Sequence, residues 1–121
     1  MNLEDRIRVD GRELQLNGLA LRTRFIFKVY VAGLYLPAKA TSANEAIYGK
    51  GPKRIILVMM RDATAEQFFE SIDGGTTLFV DGVAQGKPMA GEPFFQALLR
   101  IWLGEDPVQA DLKEALLGGE Q

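Results

Sequence analysis

From Arg22 to Leu36 the chain reads RTRFIFKVYVAGLYL, dense in phenylalanine, tyrosine and β-branched residues, with no proline before Pro37. Such residues lose rotamer freedom in a helix and pack well on a pleated surface. The segment is therefore expected to form one long strand, or two joined by a bulge at Gly33. A strand of that length commits the chain to a sheet. Upstream, Ile7 and Val9 alternate with Arg6, Arg8 and Asp10, and after Asp10-Gly11 the alternation resumes with Leu14 and Leu16. Asp-Gly accepts the positive φ angles of a two-residue primed turn, so these residues predict a β-hairpin.

Downstream, Ser42 to Tyr48 predicts a short helix stopped by Gly49. Arg54 to Met60 carries apolar side chains at both parities, the pattern of a strand covered on both faces. Thr64-x-x-Gln67 reads as a capping box, and Ala65, Phe68, Phe69 and Ile72 fall at helical spacing, which predicts a short helix here. Asp73-Gly74-Gly75-Thr76 predicts a turn, followed by a hairpin about Asp81-Gly82 that joins Leu78 and Val80 to Val83 and Gln85. Pro93 suits a first helical position. Phe94 to Leu103 is apolar except for Gln96 and Arg100, so a helix buried but for one narrow polar stripe is expected, ended by Gly104. Asp106-Pro107 is expected to restart a helix with Val108, Leu112, Ala115 and Leu116 inward and Gly118-Gly119 as its stop. Strands early and helices late predict an α+β fold, an antiparallel sheet with helices packed on one face, in a single domain over residues 1–121.

The chain has no cysteine and no histidine, which removes thiolate chemistry, the commonest general base and the usual zinc ligands. Its 14 basic and 16 acidic residues leave a net charge of -2. The basic residues are scattered, so neither nucleic acid nor an anionic membrane surface is an expected partner. The opening MNLEDRIRVDG passes straight from charge into alternation. No membrane span or targeting signal is expected in the chain as given, and a soluble protein is. Glu66, Glu70 and Asp73 have the spacing of a solvated helical face, so no metal and no cofactor is expected.

On one strand starting at Arg22, two-residue alternation would put Arg22, Arg24, Ile26, Lys28 and Tyr30 on one face and Thr23, Phe25, Phe27, Val29 and Val31 on the other. A guanidinium fork binds a carboxylate through two parallel hydrogen bonds, and a phenol adds a third donor. Arg22, Tyr30 and Lys28 are therefore the candidate ligand-binding residues, set against the plainer reading of a solvated face with snorkelling basic side chains.

The runs GLALRTRFIFKVYVAGLYLP, GPKRIILVMMRDATAEQFFESI and GEPFFQALLRIWLGEDPVQADLKEALLG resemble, in this order and over nearly the whole chain, bacterial members of the chalcone isomerase-like family. The resemblance implies an open-faced β-sandwich, here shortened. The family normally carries several more helical turns and another strand where this chain passes from Ile72 to Asp73. That difference implies either a trimmed, engineered form or an unusual natural minimal one, with apolar surface left to be buried by a homodimer or by strand exchange. Plant chalcone isomerases use an arginine, a threonine, a tyrosine and an asparagine to guide a phenolate onto an enone. By resemblance Arg22 matches the arginine and Tyr30 stands at about the place of the threonine. Phe68 falls where the tyrosine is expected, and no asparagine follows it. No catalytic residue is assigned. Some relatives bind fatty acids without isomerase activity, so the leading expectation is a non-catalytic binder of a fatty-acid-like apolar acid. The alternatives are a scaffold with no ligand of its own and a weak residual isomerase, an intramolecular lyase.

Overall fold

The computed structural model describes residues 3–24, 27–60, 66–72, 75–105 and 107–118. Strands β1 (Arg6–Val9) and β2 (Arg12–Arg24) pair antiparallel around Asp10-Gly11, whose φ angles of 52° and 75° are those the primed turn requires. The chain then reverses, and β3 (Phe27–Leu36) runs back along β2 with Arg22 opposite Tyr30 and Ala20 opposite Ala32. The expectation of one strand across 22–36 is thus corrected. The sequence between Arg24 and Phe27 holds no Gly, Pro, Asn or Asp to announce a reversal. Long-range pairing decides it. The β2–β3 register shifts between Leu16 and Gly18 and between Arg22 and Thr23; β3 passes through Gly33 without a shift. The expected faces of Phe25 and Ile26 lie outside the described residues.

Helix α1 (Ala43–Tyr48) starts at Ser42, whose hydroxyl accepts from the Glu45 N–H, and Gly49 ends it. Hydrogen bonds from Ser42 and Thr41 hold the Glu45 carboxyl below its ordinary range. Next come β4 (Lys53–Met59), β5 (Glu66–Ile72), β6 (Gly75–Val80), β7 (Val83–Ala84) and β8 (Met89–Ala90), then α2 (Glu92–Leu103) and α3 (Ala110–Leu116). Strands β1 to β7 lie in sequence order in one antiparallel sheet, and β8 pairs with β6.

Residues Glu66–Ile72 form a strand, which overturns the helix expected there; Thr64 and Ala65 lie outside the described residues. Helical spacing of Phe68, Phe69 and Ile72 fits a strand equally well, because Phe68 and Ile72 share one parity and Phe69 takes the other. Pairing on both sides, with Ile56 and Phe79 flanking Phe68, settles the matter. Phe68 stacks on Phe79 at 4.6 Å between centroids, and Arg54, opposite Glu70, donates to that carboxylate at 2.5 and 3.1 Å while lying over the Phe68 ring. Strand β5 leads into β6 through two residues, 73 and 74, since Ile72 pairs with Gly75. The turn expected there begins outside the described residues. The Asp81-Gly82 hairpin forms as expected, with φ of 50° and 83°.

The sheet has an apolar core on each face. On the helical side Leu34, Leu36, Ile55 and Leu57 meet Phe95, Leu99, Trp102, Leu103, Leu112 and Leu116. On the other side Val9, Leu14, Tyr35, Ile56, Val58 and Phe68 pack together. Strand β4 feeds both, as its apolar residues at both parities predict. The Tyr35 hydroxyl donates to the Glu4 carbonyl at 2.7 Å, and burial, reinforced by the Glu4 charge, pushes its phenol above the ordinary range.

Helix α2 is less buried than its composition predicts: Phe94 is 39% and Ile101 50% exposed, and only the stripe Phe95, Leu99, Trp102 and Leu103 is inside. One sheet covers one side of a helix, so the opposite side stays wet whatever its residues. Val108, expected inward, is 38% exposed; it lies before α3 and ties back through its N–H to the Ile101 carbonyl. Helix α3 seats directly on β2 at Gly18, where a Cβ would collide with the backbone of Ala115 and Leu116. Among the described residues no helix is long and apolar enough to cross a membrane.

Candidate functional site

Residues directly opposite in an antiparallel pair share a face, and their Cβ atoms stand roughly 5 Å apart. Arg22 and Tyr30 are such a pair, and Tyr30 is flanked on its other side by Met59 of β4. This brings guanidinium and phenol together on the helical side of the sheet. One step inward lie the buried Ala20 and Ala32.

The helices reach both side chains. The Trp102 indole N–H of α2 donates to the Tyr30 hydroxyl at 2.9 Å. An indole nitrogen only donates, so the phenol oxygen is the acceptor there and its own proton remains available. Arg22 donates through Nη1 to the Thr23 carbonyl at 2.9 Å and to Gln109 Oε1 at 3.1 Å. Gln109 is itself held, accepting from the Thr23 N–H at 2.9 Å and donating to the Leu21 carbonyl at 3.1 Å and Asp111 Oδ1 at 2.8 Å. The guanidinium is thereby aimed through one nitrogen, while Nε and Nη2 make no bond among the described residues. A half-buried, oriented guanidinium edge beside a phenol with a proton to give can receive one carboxylate.

Lys28 stands apart from this pair. The register shift beside Arg22 adds a residue on β3, so Lys28 pairs with Thr23 and two-residue alternation does not carry from Tyr30 to it. It is exposed, and no hydrogen bond joins it to Arg22 or Tyr30. Phe68, which the resemblance places where a tyrosine would act, lies in the core of the opposite face. Sequence reasoning took Trp102 only as core and passed over Gln109. For Trp102 a partial signal existed, since a buried indole N–H needs an acceptor, but the acceptor, Tyr30, lies 72 residues away on another element.

The family model described as chalcone isomerase-like matches residues 1–76 and 67–118, two matches that share ten residues of the chain. No curated protein matches the sequence. Among solved structures the chain is similar to the fatty-acid binding protein AtFAP1 of Arabidopsis thaliana, with 12% identity, a TM-score of 0.65 and 86% of each chain covered. At that identity the likeness is one of fold: an antiparallel curled sheet with its helices.

Proposed function

This chain belongs to the chalcone isomerase-like family, and on that premise we propose that it is a non-catalytic domain that binds an apolar carboxylic acid of the fatty-acid type. The observation that carries the reading is the unfilled donor capacity at the Arg22–Tyr30 pair, with Met59, Trp102 and the two alanines as apolar surroundings. The carboxylate would take the Arg22 Nε and Nη2 protons and the Tyr30 proton, with Lys28 as an outer cation that raises the local concentration of acid. The fold shared with a fatty-acid binding protein supports the same class of ligand. A phenylalanine, Phe68, on the far face where the resemblance expects a tyrosine, with no asparagine after it in the sequence, argues for binding over isomerisation.

Calorimetric titration of dodecanoate into the wild-type protein and into Arg22→Ala tests the reading. Hydrogen bonds to a charged group are worth about 1.5–3 kcal/mol, so the variant is expected to bind roughly tenfold or more weakly. Equal affinity would remove Arg22 from the site.

A further inference from the structure

At the other end of the sheet lies a cavity of about 360 Å³, bounded by the start of β2, the loop after α1 and the first turns of α2. Arg12 and Arg22 are ten residues apart on β2, about 30 Å along an extended strand, so this place is separate from the Arg22–Tyr30 pair. Its described lining carries three cations, Arg12, Lys50 and Lys53, against one carboxylate, Asp10.

The three cations differ in setting. Lys53 is only 6% exposed and donates to the Ile47 carbonyl at 2.9 Å, closing the end of α1. It also borders an adjoining cavity of about 290 Å³ that shares Lys50 and Gly49, so its buried charge lies in the wall between two spaces. Arg12 and Lys50 are exposed and make no ion pair among the described residues. Arg12 leans toward Gly51, where φ is 101° and a Cβ would stand 2.8 Å from Nη1, so glycine there serves both the backbone and the guanidinium. Tyr48 and Phe95 supply an aromatic wall.

We infer a second binding site here, for a small organic anion whose carboxylate or phosphate meets Arg12 and Lys50 above Lys53 and whose body lies against Tyr48 and Phe95. The volume is near the lower end of the roughly 300–1,000 Å³ that ligand sites span, which suits a small ring more than a long acyl chain. Mixed charge and aromatic surface selects for an anion with an apolar body over either a bare ion or a neutral ring.

Titrations of phenyl phosphate and of benzoate, followed by amide proton–nitrogen NMR with benzyl alcohol as the uncharged analogue, test the site and separate the two headgroups. Saturable shifts at Gly49, Lys50 and Gly51 are expected with at least one anion and not with the alcohol. The double variant R12Q/K50Q should weaken the response about tenfold or more, with thermal midpoints confirming that it is folded. Asp10→Asn keeps a residue that accepts the turn's positive φ and should tighten the response. Absence of saturable shifts with both anions, equal response to benzyl alcohol, or affinity unchanged in R12Q/K50Q would overturn the assignment.

Discussion

Asn17 and Arg22 sit five residues apart on β2, and both tie that strand to the helical layer, yet their polar groups end in opposite conditions. Asn17 is 2% exposed and its amide is fully engaged: Nδ2 donates to the Ala40 carbonyl at 2.9 Å and to the Leu116 carbonyl at 2.8 Å, and Oδ1 accepts from the Ala40 N–H at 2.7 Å. With Gly18 beside it, Asn17 is a clasp that fixes α3 and the segment before α1 onto β2. Arg22 is aimed by Gln109 through one nitrogen and keeps the others. Polarity on the inner face of the sheet is thus common to both places. Leftover donor capacity separates a residue that holds the fold from one that can receive a ligand.

The largest effect should come from breaking the clasp. Asn17→Ala leaves the N–H and C=O of Ala40 and the C=O of Leu116 without their partner, and a loss of about 3 kcal/mol or more is expected in a denaturant titration. A loss below about 1 kcal/mol would show that water replaces the amide and would erase the contrast with Arg22. The Arg22→Ala exchange should do the reverse, lowering dodecanoate affinity roughly tenfold or more while shifting stability by less than about 1 kcal/mol. Tyr30→Phe falls between them. It deprives the Trp102 indole N–H of its acceptor, so about 1 kcal/mol of stability should go with a smaller loss of affinity than for Arg22.

Acid provides the smallest and most local test, at the Ala40 side of the clasp. Glu45, in the capping box just beyond Ala40, has its carboxyl held below the ordinary value of 4.5 by Ser42 and Thr41. A folded value below the unfolded one means a contribution fully present above pH 4.5 and lost as pH falls through the folded value. Amide exchange at Thr41 and Glu45 should therefore rise in that acid window before exchange at Leu116 does. Simultaneous loss of protection would make α1 and the clasp one cooperative unit.

Much of the architecture could be read from residues whose local chemistry agrees with their tertiary setting. Asp10-Gly11 and Asp81-Gly82 mark their turns because positive φ is needed there, and β4 shows both cores through its alternating Ile, Leu and Val. The reversal after Arg24 was not legible, since nothing local to Phe25-Ile26 favours a turn and the instruction lies in the match between β2 and β3. Strand β5 was misread because Phe68, Phe69 and Ile72 satisfy two periods at once and only its neighbours choose between them. At the site, Arg22 and Tyr30 were placed on a shared face by alternation along one strand; the structure shares that face through cross-strand pairing instead. Gln109, 87 residues from Arg22 in sequence, had no signal at all.

The sole tryptophan of the chain is the residue that donates to Tyr30, so its emission reports directly on the proposed carboxylate site. Titrating dodecanoate and dodecanol against tryptophan fluorescence separates charge recognition from apolar contact. The account predicts a saturable change with the acid, with roughly tenfold or more weaker binding for the alcohol and for the acid on Arg22→Ala. Identical curves for acid and alcohol, or no change with either, would contradict it.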